Sequence, residues 1–265
     1  MLRVVRRGDR HDPKELAVSF RFEGEFAAAF REGRAEGLLP GEALKNIVHR
    51  AARDYGAGEI EEFGLALTER VLAQHAAITR ARVDITESPW VRLDVSGRPQ
   101  GQAFVAGPPE MKTAAITSNG RQRSVVSGVA GLSMMRTAGF VPRQRDALDD
   151  GAEDGLQRLL VAELTAKWSY TSTDVTFRTY REGVRALIVD AFARHASRSV
   201  EHTLYAMADL VLASYQEIGD VTFALQERPY RSADPFSAGV DNPDDLFVAV
   251  EEPVGLVEVT VERDS

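Results

Sequence analysis

The apolar positions of this chain follow two periods. Leu44, Ile47, Val48 and Ala51 recur at helical spacing within 40–55, as do Val184, Leu187, Ile188 and Ala191 within 179–197. Segments 61–90 and 201–230 open at helical period, with Leu65, Val71, Leu72 and Ile78 on one side of the first. They then switch to alternation in RARVDITES and DVTFALQE, which predicts strands. Further strands are predicted at 16–22, 90–95, 113–117, 125–136, 170–178, 246–250 and 256–262. Polar or Gly/Pro-rich linkers are predicted at 96–112, 119–124, 149–155 and 231–245.

The chain also repeats itself. At an offset of 140, eight of thirty positions in 61–90 and 201–230 are identical, among them Glu61/Glu201, Val71/Val211, Ile78/Ile218, Glu87/Glu227 and Pro89/Pro229. A shared apolar stripe could arise by convergence, but a shared acid before it and a shared E-x-P-aromatic ending after it point to duplication. Each half reads as strands, two helices, then strands, with the helices on one face of a mainly antiparallel sheet. The expectation is a duplicated α+β fold, with halves 1–120 and 121–265. Sheet edges left open in such a half call for closure against the other half and against other subunits.

Composition narrows the chemistry. With no cysteine, disulfides, thiolate metal sites and cysteine nucleophiles are excluded. His11, His49, His75, His195 and His202 form no H-x-x-x-H or H-x-H pair, so no metal site is expected. A net charge of −8 argues against nucleic acid as the partner. No apolar run reaches the length of a membrane span and MLRVVRRGDRHDP holds no signal core, so a soluble cytoplasmic protein is expected.

Several ordered segments are spread over nearly the whole chain: LPGEALKNIVHRAA, ITESPWVRL, SGVAGLSMMRTAGF with RDAL, KWSY, SVEHTLYAMADLVL and FVAVEEPVGLVEVTVER. Together they resemble the urate oxidase family of the tunnelling fold (T-fold). The resemblance implies a homotetramer whose sites lie between subunits and hold a flat heterobicycle. It implies no cofactor, with O2 as co-substrate. Phe140 matches the family's stacking aromatic, and Arg158 matches the arginine that clamps a ring carbonyl. Val200 matches the residue whose main chain meets the ring.

The departures fall on the chemical residues. The family's catalytic Thr-Asp is here Gly41 and Glu42, and its N-terminal lysine is replaced around Gly8, Asp9 and Arg10. Its Asn-x-His becomes Glu227 and Pro229, and its substrate glutamine becomes Glu201. Gly41 cannot relay a proton, and Arg10 is a poor base because guanidinium does not deprotonate in proteins. Glu42 and Glu227 are then the candidates for a rebuilt proton relay, beside Arg10. Each could instead be an exposed surface carboxylate or bind a hard cation.

Glu201 bears most on the substrate. A carboxylate only accepts hydrogen bonds, so it would repel a urate carbonyl but take two bonds from adjacent N–H and NH2 groups. That favours a purine- or pterin-type ring with a 2-amino-4-oxo edge. The plainer reading makes Glu201 a solvated acid at a helix N-terminus, with its repeat partner Glu61 in support. Urate oxidation with compensating residues and a catalytically silent purine- or pterin-binding protein are the alternatives. Lys45 is expected to cap or pair locally, and His202 draws notice only as Glu201's neighbour.

Overall fold

The computed structural model describes residues 1–55, 58–137, 159–196, 199–232, 246–250 and 255–263. The strands and helices follow one plan twice. Strands β1 (Leu2–Arg7) and β2 (Arg10–Gly24) form a hairpin turning at Gly8. There φ is +60°, a conformation that only glycine adopts without steric cost. A short helix α1 (Ala27–Glu32) leads to α2 (Gly41–Asp54) and α3 (Ile60–Gln74). Then come β3 (Ile78–Ser88), the hairpin β4 (Trp90–Val95) and β5 (Arg98–Ala106), and β6 (Met111–Ser118). The second pass is β7 (Arg123–Arg136), β8 (Leu160–Tyr170), α4 (Phe177–Arg194), α5 (Val200–Ser214), β9 (Ile218–Glu227), β10 (Tyr230–Ser232), β11 (Phe247–Ala249) and β12 (Leu256–Glu262).

The strand orders β1-β2-β3-β6 and β7-β8-β9-β12 correspond one to one, and the pairings of β1–β2, β2–β3, β3–β6 and β9–β12 are antiparallel. Helices α3 and α5 start and end 140 residues apart, as do the last residues of α2 and α4. The offset seen in the sequence is thus an offset between elements. The fold class is α+β.

Contacts divide the chain into two compact units. The first is Met1–Ala130 with Trp168–Arg181, and the second is Gly131–Lys167 with Glu182–Ser265. In the first, α3 packs on β3 and β6, burying Ile60, Phe63, Leu67 and Val71 against Ala81, Val83, Ile85 and Ile116. A Cβ on Gly64 would collide with Ile116, so this glycine lets α3 approach the sheet. In the second, α5 packs on β9 and β12, with Leu204, Met207, Val211, Val221 and Phe223 buried. At up to ~2–3 kcal/mol per large side chain, these two layers supply much of the drive to fold.

Two sequence expectations need correction. Segment 170–178 is not a strand: β8 ends at Tyr170, and α4 begins at Phe177. The β-branched residues of TSTDVTF mimic a strand, but Asp174 N donates to Ser172 Oγ at 3.1 Å and Thr176 O accepts from Thr179 N, so they form the helix entry. The strand lies just upstream, where Leu160, Ala162, Leu164, Ala166, Trp168 and Tyr170 alternate inward. The 96–112 stretch is not a linker either, since β5 occupies Arg98–Ala106. Arg92 ties that hairpin to β2, donating to Gln100 O and Gly101 O at 2.8 and 2.7 Å and to Asp12 Oδ1 at 2.9 Å. No described helix is long and apolar enough to cross a membrane.

Candidate active site

The second unit presents its candidate residues at two element ends. Ser199 caps α5, its Oγ accepting from His202 N at 3.1 Å. Val200 follows and is buried, Glu201 is half-buried in the first helical turn, and Glu227 closes β9, also half-buried. An acid two residues into a helix sits well for the N-terminal dipole, as the plainer reading of Glu201 requires. Beside it His202 Nδ1 lies 3.1 Å from His195 Nε2. Burial, with His202 and then Arg136 adding repulsion, pushes the His195 pKa below 6.5. Sequence spacing held no hint of this pair, because the two rings belong to neighbouring helix ends and meet only in the fold.

The first unit shows what became of the same positions there. Glu61, counterpart of Glu201, is fully buried. Its Oε1 accepts from Arg181 Nη2 and from Ser127 Oγ. Arg181 also donates to Gly128 O at 2.5 Å and Thr113 O at 3.2 Å, with its guanidinium carbon 5.9 Å from the centre of the Trp168 ring. Behind Ser127, Trp168 Nε1 donates to Tyr170 OH at 2.9 Å, and that hydroxyl donates to Ser127 Oγ at 3.1 Å. Burial pushes the Tyr170 pKa up to about 12, so the phenol stays a donor at neutral pH. Glu87, counterpart of Glu227, lies 3.8 Å from Lys14 and 3.7 Å from Lys112. The cap residue Glu59 pairs with Arg178 at 2.8 Å. Glu61 therefore lends no support to a solvated-acid reading of Glu201: its carboxylate is buried and paired with a cation.

Of the remaining candidates, Arg10 lies at the exposed β1–β2 turn, 3.8 Å from Asp12. Glu42 opens α2 and pairs with Lys45 at 2.7 Å, both side chains mostly in solvent, which is the local pairing expected of Lys45. Glu42 does not line the neighbouring cavity of about 360 Å³ between β2 and α2, whose walls are Leu16, Val18, Phe20, Leu44 and Val48, with Gly41 and Lys45. Phe140 and Arg158 lie outside the described residues. No group of three or more potential metal ligands gathers among the described residues.

Two copies of a strand pair, a helix pair and a strand pair, with carboxylates at the start of each second helix, define a duplicated T-fold protein. The uricase family model matches residues 4–117 and 125–258, both copies, and the chain belongs to the uricase family, whose members are oxidoreductases. It is 28% identical to the uricase of Arthrobacter globiformis over 266 residues, covering 100% of this chain and 86% of that one. To the uricase of Danio rerio it is 27% identical over 271 residues, covering 99% and 91%. The crystal structure of the Arthrobacter globiformis uricase superposes with a TM-score of 0.90, covering 100% of this chain and 91% of that one. A Bacillus fastidious uricase structure, 19% identical, shares the fold at a TM-score of 0.79, covering 95% and 82%.

Proposed function

We propose that this protein is a uricase-type oxidase that needs no bound cofactor and passes two electrons from a planar, deprotonated purine-type ring to O2. The observation that carries this reading is the family match across both copies of the fold. In the reaction the ring loses two electrons and two protons, O2 becomes H2O2, and water adds to the oxidised ring. Urate would give 5-hydroxyisourate.

The ring edge is where this chain departs. Urate is the substrate that family membership favours, since the relatives are named for it. The carboxylate at Glu201 favours a 2-amino-4-oxo ring, because an acceptor-only group pairs with N–H and NH2 and repels a carbonyl. Support comes from its counterpart Glu61, which is paired with a guanidinium, a group that presents a comparable row of N–H donors. In this reading Arg158 holds a ring carbonyl, Phe140 stacks on the ring and the Val200 main chain meets its edge. Glu42, Glu227 and Arg10 are the groups from which a proton relay would be rebuilt.

We place the sites between subunits of a homotetramer. In support, β1 and β12 each have a neighbour on one side only among the described residues, and open edges call for closure. The test is oxygen uptake and equilibrium binding with urate, guanine, 8-oxoguanine and pterin. Tighter binding of an amino-bearing ring than of urate supports the Glu201 reading; preference for urate removes it and leaves urate oxidation.

A further inference from the structure

The charged cluster at the start of α3 lies outside the proposed catalytic apparatus, yet it has the form of a binding site. A carboxylate and two main-chain carbonyls converge on one planar cation, Glu61, Gly128 O and Thr113 O around the Arg181 guanidinium, and the Ser127 hydroxyl orients the carboxylate by donating to Glu61 Oε1. An indole ring lies beside the cation. Burying such a pair is costly unless its remaining donors and acceptors are satisfied. Here they are not, because Glu61 Oε2 and Arg181 Nε are buried without a hydrogen-bond partner among the described residues. An apolar pair would fill this space at less cost, so packing alone does not account for the cluster.

The repeat explains the arrangement. Glu61 stands 140 residues before Glu201, and Arg181 stands 140 residues after Gly41. The first turn of α4 thus places a guanidinium where the matching position of α2 has no side chain. A Cβ added at Gly41 would meet nothing within 4 Å.

We propose that the Glu61 pocket is a ligand cradle for a planar N–H-donating cation, of the guanidinium or amidinium class, and that Arg181 is its resident ligand. The first copy of the fold is then closed to exogenous ligand by its own chain. The cradle is independent of the substrate reading above, because every group in it belongs to the first unit.

Truncating Arg181 tests it. In the full-length Arg181→Ala protein, millimolar methylguanidinium should bind at one per chain and raise the Tm by about 5 °C or more at saturation. Wild type should not respond. Methylammonium and sodium chloride at the same strength should do little, because neither offers a planar fork of donors. The gain should vanish in the Arg181→Ala, Glu61→Gln double variant. An equal gain from methylammonium or salt, a gain that survives in the double variant, or no gain at all would overturn the proposal. If the single variant is recovered only unfolded, refolding is carried out with each additive. Recovery specific to methylguanidinium supports the cradle, and failure to recover with it counts against the cradle.

Discussion

Glu201, half-buried in the first turn of α5, and Glu61, sealed in a core, are the same residue type at the same place in a repeat. At Glu61 the buried carboxylate is matched by a buried cation, Arg181. Arg181 reaches Glu61 because α4 begins with a turn that belongs to the first unit, so the contact joins residues 120 positions apart. Removing one member of a buried pair leaves the other uncompensated. Glu61→Ala should therefore cost about 3–5 kcal/mol in urea or thermal unfolding. The double change Glu61→Leu, Arg181→Met should cost far less than the sum of its parts. Equal, additive losses would show that the two side chains do not act as a pair.

The histidine pair gives a second prediction at this scale. The His195 pKa is depressed in the fold, so above pH 7 folded and unfolded chains both carry the neutral ring and the group contributes nothing to the pH dependence. As pH falls through 6.5, the unfolded chain takes up the proton more readily and stability drops, until the folded ring is protonated as well. The Tm of wild type should fall between pH 7.5 and 5.5, and His195→Asn should flatten part of that fall. A slope unchanged by the substitution would remove the pair from the account.

Among the elements, glycine and alternation decide the packing. Gly64 sits inside α3, where alanine would ordinarily add up to ~1 kcal/mol of helix propensity. Here the added methyl meets Ile116, and overpacking of this kind costs ~1–3 kcal/mol. Gly64→Ala should thus lower the Tm, and pairing it with Ile116→Val should restore part of the loss. A stabilised single variant would contradict the close approach of α3 to the sheet.

The same elements show how much was legible in advance. Both helix pairs and β12 could be read from their period, because each turns one face inward, and the repeat could be read from its offset; β4 could be read too, although it buries no face. Strand β8 escaped although its alternation is regular, since the β-branched residues after it compete for the same reading. Strand β5 escaped because its Gly and Pro residues resemble a linker. Of the candidate site, the helix-start acids were visible. Arg181 was not, because only folding carries α4's first turn to α3, and nothing in its local sequence marks it as buried.

For the whole molecule, the open question is which edges meet. Strand β1 carries Arg3, Arg6 and Arg7, and β12 carries Glu258 and Glu262. Opposite charges on these two strands, which end the sheet among the described residues, suit antiparallel pairing of β1 in one subunit of the proposed tetramer with β12 in the next, whereas like edges would repel. Arg6→Glu with Arg7→Glu should shift the particle seen by light scattering from the proposed tetramer toward smaller species, more so at low salt. Adding Glu258→Arg and Glu262→Arg should reverse part of that shift. A monomeric wild type would dismiss both this pairing and the sites placed between subunits.

If this chain oxidises a purine-type ring with O2 and Glu201 chooses that ring, both show in oxygen uptake and peroxide release with urate, guanine, 8-oxoguanine and pterin, for wild type and Glu201→Gln, with no cofactor added. Uptake should be matched by peroxide, wild type should prefer an amino-bearing ring, and Glu201→Gln should shift toward urate. Folded protein that consumes no oxygen with any of the four rings would contradict oxidase function, and a wild-type preference for urate would contradict the role of Glu201.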